Sequence, residues 1–203
     1  MQVLTQAFGD LRTNCYIIKA DFGSLIIDPG FGAFSWCMQN ANDALAVLCT
    51  HAHFDHIYDA KKLKDELNVP IYMPRDDDIL ASSDPFCMLR EPLKADILIK
   101  PNASVKIGDF TCTFHHFPGH CPGCSAIEID GLNDTWFCGD FLFKNSVGRW
   151  DFEFSSGAAM KESLERVLLE KRNLKLYCGH GPSTYLDDER ENIRHIIDMH
   201  IWR

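Results

Sequence analysis

Thr50-His51-Ala52-His53-Phe54-Asp55-His56 directly follows the apolar run Leu45–Thr50. The run has the length and composition of a buried strand. The residues after it place two His, an Asp and a third His in quick succession. Residues i and i+2 of an extended segment point the same way, so His51 and His53 can aim at one cation. Asp55 and His56 open the next helix and can turn towards a second ion beside it. A helical zinc-protease pattern needs His at i and i+4 with Glu after the first, and this spacing excludes it.

Outward from that segment, three more apolar strands end in the same kind of residue. TFHHFPG runs into His120, TWFCG into Asp140, and KLYCG into His180. An ionisable side chain at the end of a buried strand is costly without a partner. A divalent cation is the simplest partner that imidazole and carboxylate share. His120 can complete the first ion and His180 the second, and Asp140 has two oxygens with which to bridge both. One such His would be read as an ordinary hydrogen-bonded histidine. Five His and two Asp at four strand ends exceed that reading.

The rest of the chain supplies the frame. Cys15–Ala20 and Ser24–Asp28 flank Asp21-Phe22-Gly23 as a β-hairpin. Phe34–Asn42 reads as a short helix, and Asp55–Leu67 as one helix with Ile57, Ala60, Leu63 and Leu67 on its inner face. Ile71–Met73 is a short strand, and residues 75–100 read as short helices and loop. Val105–Ile107 and Thr111–His116 flank the turn Gly108-Asp109, and Ser125–Ile129 and Trp136–Cys138 flank residues 130–134. Ala158–Leu169 is amphipathic, Leu174–Cys178 a strand, and Asp187–Met199 a final helix. Strands in meandering runs with helices between some of them suit a layered α/β fold with two sheets.

Composition narrows the classes. The 203 residues suit one domain, 1–203, and 46% hydrophobic with 24% charged residues is ordinary for a globular chain. A net charge of −9 argues against a sequence-independent grip on nucleic acid and against anionic membrane surfaces. No apolar window reaches transmembrane length, and the first residues lack the pattern of a secretory signal. Nine cysteines, an odd number lying mostly in apolar runs, fit reduced buried thiols and a cytoplasmic location.

The motifs THAHFDH (50–56), FPGHCPGCS (117–125), CGDFLFKNSVGRWD (138–151) and CGHGPST (178–184) resemble those of the metallo-β-lactamase-fold hydrolases, in family order. Within them the chain looks like the glyoxalase II-like (hydroxyacylglutathione hydrolase-like) branch. The hairpin ending Ile27-Asp28-Pro29-Gly30 also looks like the family's opening strands. The resemblance implies an α/β fold, a four-layer αββα sandwich with the site at one edge. It implies two divalent ions, zinc first with iron or manganese as alternates. His51, His53 and His120 would hold one, Asp55, His56 and His180 the other, and Asp140 would bridge. It further implies hydrolysis of a thioester or ester by metal-bound hydroxide, with Asp55 orienting the nucleophile. A residual positive charge at such a centre would favour a small anionic substrate.

Departures sharpen the expectation. The segment after His180 is too short for the helical domain that helps grip glutathione in full-length glyoxalase II, so thioester or ester cleavage is expected without a commitment to glutathione. Arg149 lies where glutathione-using relatives place a basic residue, and the resemblance makes it a contact for a substrate carboxylate; an ordinary salt bridge is the other reading. Cys121-Pro122-Gly123-Cys124 replaces a Thr-Pro-Gly-Ser turn, either as a simple exchange or as a redox or metal clip. Cys49, Cys138 and Cys178 read as small packing residues beneath the ligands. His116 reads as a loop-orienting residue, and His115, His195 and His200 as surface or capping histidines. A mononuclear iron persulfide dioxygenase on the same fold is the alternative function.

Overall fold

The computed structural model describes residues 1–199 and residue 202. His200 therefore lies outside the described residues. The chain forms β1 (Gln2–Phe8), β2 (Thr13–Ala20), β3 (Gly23–Ile27), α1 (Phe34–Asn40), β4 (Ala44–Leu48), α2 (Phe54–Ile57), α3 (Ala60–Leu67), β5 (Ile71–Pro74), α4 (Asp78–Ser82), β6 (Ile97–Ile99), β7 (Ser104–Ile107) and β8 (Phe110–His116). Then follow β9 (Ser125–Ile129), β10 (Thr135–Gly139), the small pair β11 (Leu142–Phe143) and β12 (Ser146–Val147), α5 (Gly157–Val167), β13 (Lys175–Cys178), β14 (Thr184–Tyr185) and α6 (Leu186–Asp198).

One sheet has the order β1-β2-β3-β4-β5-β6, the other β14-β13-β10-β9-β8-β7. Period-2 alternation explains how they stack. Tyr16, Ile18, Leu25, Ile27 and Leu48 face inward and meet Phe110, Phe114, Ile127 and Phe137 of the other sheet. Their neighbours Ile17, Ile26 and Val47 face outward, and on the second sheet Trp136 and Leu176 do the same, under helix residues such as Leu63, Leu164 and Ile193. Two sheets back to back, each covered by helices, make the αββα sandwich.

The helix expected over 55–67 is two helices, because tertiary contacts break it at Tyr58–Asp59. Asp59 accepts hydrogen bonds from the backbone N–H groups of Gly32 and Phe34, both at 2.9 Å, and its own N–H donates to the Pro29 carbonyl. That anchor frees the single turn α2 to tilt on its own. The strands β1, β6, β11, β12 and β14 are not distinguished by pattern; β6 corrects the reading of 75–100 as short helices and loop, it and the two-residue strands β11, β12 and β14 are too short to show alternation, and β1 is a half-exposed edge strand. His115 is not a lone surface residue: it stacks on Trp136 and pairs with Glu128 at 2.8 Å.

All nine cysteines are free, and only Cys87 is exposed. No helix of the described residues is long and apolar enough to cross a membrane.

Candidate metal centre

The centre lies at one edge of the sandwich, past the C-terminal ends of β4, β10 and β13 and in the loop after β8. The first turn of α2 adds Asp55 and His56. The two sheets are stitched together here. The Asn14 side-chain amide of β2 donates to the carbonyls of Cys178 (3.0 Å) and Gly181 (2.8 Å), and the Tyr16 hydroxyl also donates to Cys178. The end of β13 is thereby held against β2, with His180 beside the ligands from the first sheet.

Seven side chains converge. His51, His53 and His120 form one group and Asp55, His56 and His180 another, each offering ligand atoms within 4.8 Å of one another. Asp140 stands between them. Its Oδ1 is 3.2 Å from His56 Nε2, and its Oδ2 is 3.3 Å from His180 Nε2 and 3.5 Å from His120 Nε2. Asp55 Oδ2 lies 3.4 Å from His56 Nε2 and 3.3 Å from His180 Nε2.

The fit to a cation rests on what these atoms lack. Nε2 of His51, His56 and His120 and Oδ1 of Asp140 are buried and have no hydrogen-bond partner. Leaving a buried polar atom unpaired costs about 1–3 kcal/mol. Four such atoms aimed at one place suit a centre for divalent cations, which would supply the missing partners.

The opposite ring nitrogens are fixed. His56 Nδ1 bonds Asp28 Oδ2 at 3.0 Å. His51 Nδ1 lies 3.1 Å from the Thr50 hydroxyl, which itself donates to Asp28 Oδ2 at 2.6 Å. One carboxylate thus sets the tilt of a ring in each group. His120 Nδ1 bonds the Arg149 carbonyl at 2.8 Å and His180 Nδ1 the Leu11 carbonyl at 3.0 Å. Carbonyl and carboxylate acceptors require a proton on Nδ1, which leaves Nε2 as the atom facing inward.

Electrostatics divides the two groups. Burial, reinforced by His56 and His53, holds His51 well below the usual imidazole range. Burial brings His53 down to about 3 and lowers His120 as well. Burial also opposes charge on His56, but Asp55 and Asp140 outweigh it and raise His56 well above its ordinary value. His180 is lifted to about 9 against burial by hydrogen bonds to Asp140 and Asp55. Burial pushes the carboxylates up, yet His56 and His180 hold Asp55 at about 2 and Asp140 well below the usual carboxylate range. Protons on His56 and His180 balance the carboxylates where cations would otherwise do so, so metal binding would release protons.

Arg149 was expected to face substrate. Its guanidinium binds Asp151 with two hydrogen bonds, at 2.9 and 3.0 Å, and is 68% exposed. It also stacks 4.6 Å from the Phe152 ring centroid, and Phe152 packs against His53 and His120. The side chain is one aromatic ring away from the centre, and its backbone carbonyl orients His120. His116 Nε2 bonds the Pro122 carbonyl at 2.8 Å and so pins the loop that carries His120.

Asp28, Thr50, Thr13 and Asp77 were missed by sequence reasoning. Asp28 ends an apolar strand as the ligands do, and that shared pattern was the available signal; it has φ +51°, a left-handed turn that aims its carboxylate back at Thr50. Thr13 donates to Asp55 Oδ2 at 2.7 Å. Asp77 is fully buried and accepts from the Ala52 N–H at 3.0 Å, the Gly123 N–H and the Cys121 thiol at 3.1 Å. It therefore ties the His51–His53 segment to the Cys121–Cys124 turn. Among the described residues no grouping of three or more potential metal ligands includes a cysteine.

Burial raises Asp77 to about 6 despite these donors. A carboxyl whose folded-state pKa lies above its unfolded value of 3.8 contributes stability below that value, and the contribution is lost as pH rises through about 6. Metal-free protein should therefore lose unfolding free energy relative to Asp77→Asn between about pH 4 and 6. Urea denaturation of both across that window measures it, and parallel curves would refute it. The Asn amide mispairs with one backbone N–H at every pH, which offsets the curves without changing their slope.

Comparison with known proteins agrees with this fold. The model of the metallo-β-lactamase superfamily matches residues 8–180. A hydroxyacylglutathione hydrolase of Nitrosomonas europaea is 31% identical over 167 residues, 81% of this chain and 58% of that protein. Among solved structures, the B3 metallo-β-lactamase BLEG-1 superposes with a TM-score of 0.81 at 28% identity, over 94% of this chain and 97% of that one. TTHA1623 in a di-iron-bound form gives 0.77 at 31% identity, over 93% and 98%.

Proposed function

The chain belongs to the metallo-β-lactamase superfamily, and from that premise we propose that it is a binuclear metallohydrolase cleaving a thioester or ester of a small molecule. His51, His53 and His120 would hold one divalent ion and Asp55, His56 and His180 the second, with Asp140 shared between them. Zinc is the first candidate, and iron or manganese would suit the same donors. The di-iron form of TTHA1623 keeps iron in view. The reading is of one domain, 1–203, working in the cytoplasm. The observation that carries it is the convergence of four unpaired buried ligand atoms between two groups of neutral and ionised side chains.

Bound there, such ions would supply Lewis acidity: an activated water near neutral pH and a polarised carbonyl. The chain's own residues do the rest. Asp28, the Arg149 carbonyl and the Leu11 carbonyl hold ligand rings in register. Thr13 fixes the Asp55 carboxylate through Oδ2, which leaves Oδ1 to orient the attacking water. No Ser or Cys nucleophile is required.

Arg149 would exchange Asp151 for a carboxylate on the substrate. Arg149→Ala should then raise KM for anionic thioesters about 5-fold with kcat unchanged, the pattern of lost uniform binding worth about 1 kcal/mol. An unaltered KM would assign Arg149 to its salt bridge alone.

The decisive experiment is metal analysis of protein purified without added metal, with parallel assays on S-lactoylglutathione, on simpler thioesters and on glutathione persulfide. Two ions per chain with thioester turnover is the expected result. One iron per chain with oxygen consumption on the persulfide would overturn the proposal in favour of the dioxygenase.

A further inference from the structure

Beside the centre, the β1–β2 turn, the Phe31 loop, α2 and the 84–92 loop surround an open cleft of about 360 Å³. That volume lies within the ~300–1,000 Å³ range of small-molecule sites. Leu11, Phe31, Phe54, Tyr58 and Met88 line it. Leu11, Phe31 and Met88 are 55%, 58% and 48% exposed. One exposed apolar side chain is ordinary, but three large ones around a single concavity form a patch that calls for an occupant. The wall is also ordered: Phe31 packs edge-on against Tyr58 with ring centroids 4.9 Å apart.

Two features say what the occupant is. The cleft is continuous with the centre, because Asp55 and Thr13 line it as well. Its charged lining residues are Asp10 and Asp55, both acidic, and no Lys or Arg is among the described residues that line it. Asp55 is committed to the centre, so an anionic group reaching past it into the cleft would meet the Asp10 carboxylate and no Lys or Arg to pair it. An uncharged apolar group would bury its surface against the rings and the Met88 thioether.

The structure assigns this cleft, we propose, to an uncharged apolar arm of the substrate, lying next to the carbonyl that is cleaved. The assignment rests on the metallohydrolase reading and adds the substrate class. Polarity across the centre is then asymmetric. The Asp55 side takes the apolar arm. The His53–His120 side, where Phe152 carries the Arg149 guanidinium, takes a carboxylate where the substrate has one. A glutathione carrier, with a carboxylate at each end, does not suit the apolar cleft.

Two homologous series of uncharged thioesters test this on the metal-loaded protein. One lengthens the acyl chain from acetyl to octanoyl, and the other lengthens the thiol of an acetyl thioester by the same increments. Each buried methylene contributes about 0.8 kcal/mol, so four well-seated methylenes should raise kcat/KM by about 10²-fold in one of the series. Met88→Glu should flatten that rise to less than about 5-fold. As a readout independent of turnover, 2-octanone, an unhydrolysable uncharged analogue, should bind the protein in calorimetry, and Met88→Glu should weaken it about 10-fold.

Flat series and no 2-octanone binding, with thioesters still turned over, would overturn the cleft assignment and leave the hydrolase reading intact. A preference for S-lactoylglutathione over every apolar thioester would overturn it too. Binding of 2-octanone that Met88→Glu weakens, without turnover of any thioester or ester, would support the cleft and sink the hydrolase.

Discussion

Asp140→Asn should lower kcat/KM for a thioester by on the order of 10³-fold, which is about 4 kcal/mol of lost transition-state stabilisation. Asp140 approaches His56, His120 and His180 within 3.2–3.5 Å, so it addresses both groups of ligands directly. Asparagine keeps its volume and removes its charge. The variant should purify with less than two ions per chain by elemental analysis. The sandwich itself should persist, because the inter-sheet core of Phe110, Phe114, Ile127 and Phe137 does not touch this side chain. Circular dichroism of metal-free wild type and variant separates the two effects. A variant that keeps both ions and near-wild-type turnover would remove Asp140 from the bridging role.

Gly179→Ala is expected to be nearly as damaging, for a steric reason. A Cβ at this position would fall on the Asp140 carboxylate and the His56 ring, beside the Gly139 backbone. None of these can retreat freely. His56 is held by Asp28, and Gly139 is hydrogen-bonded to the Gly179 N–H at 2.7 Å. Overpacking of this kind costs about 1–3 kcal/mol of stability. A displacement of catalytic groups by about 1 Å costs about 10²-fold in rate. Gly181 provides the control: its φ is +70°, but nothing lies within 4 Å of an added Cβ. Gly181→Ala should therefore cost about 1 kcal/mol in backbone strain and leave metal content unchanged. Equal metal loss in the two variants would contradict the close-approach argument.

The ligand set was legible because each member interrupts an apolar run. His51, His120, Asp140 and His180 are polar residues where a buried strand should have ended in a turn, and alternation paired His51 with His53. The residues that orient them were not legible. Asp28 reads locally as the end of a hairpin strand before Pro-Gly, and its partners Thr50 and His56 are brought to it by the parallel pairing of β3 with β4. Asp77 sits in an acidic run that looks solvated; only tertiary packing buries it against Ala52 and Gly123. The break at Tyr58–Asp59 was hidden for the same reason, since Asp59 finds its donors 25 and 27 residues away. Arg149 was located by position after Asp140, but the pairing that occupies its guanidinium comes from Asp151, two residues on.

The seam between β2 and β13 has a consequence for biosynthesis. Asn14 reaches partners 164 and 167 residues further along, and His180 is oriented by Leu11, 169 residues before it. Contacts of such span are slow to form, because a large loop must close before they give any return. A chain emerging from the ribosome therefore carries His51, His53 and Asp55 long before it can bring His180 to them. Capture of cations by the complete cage therefore waits for the docking of β13 against β2.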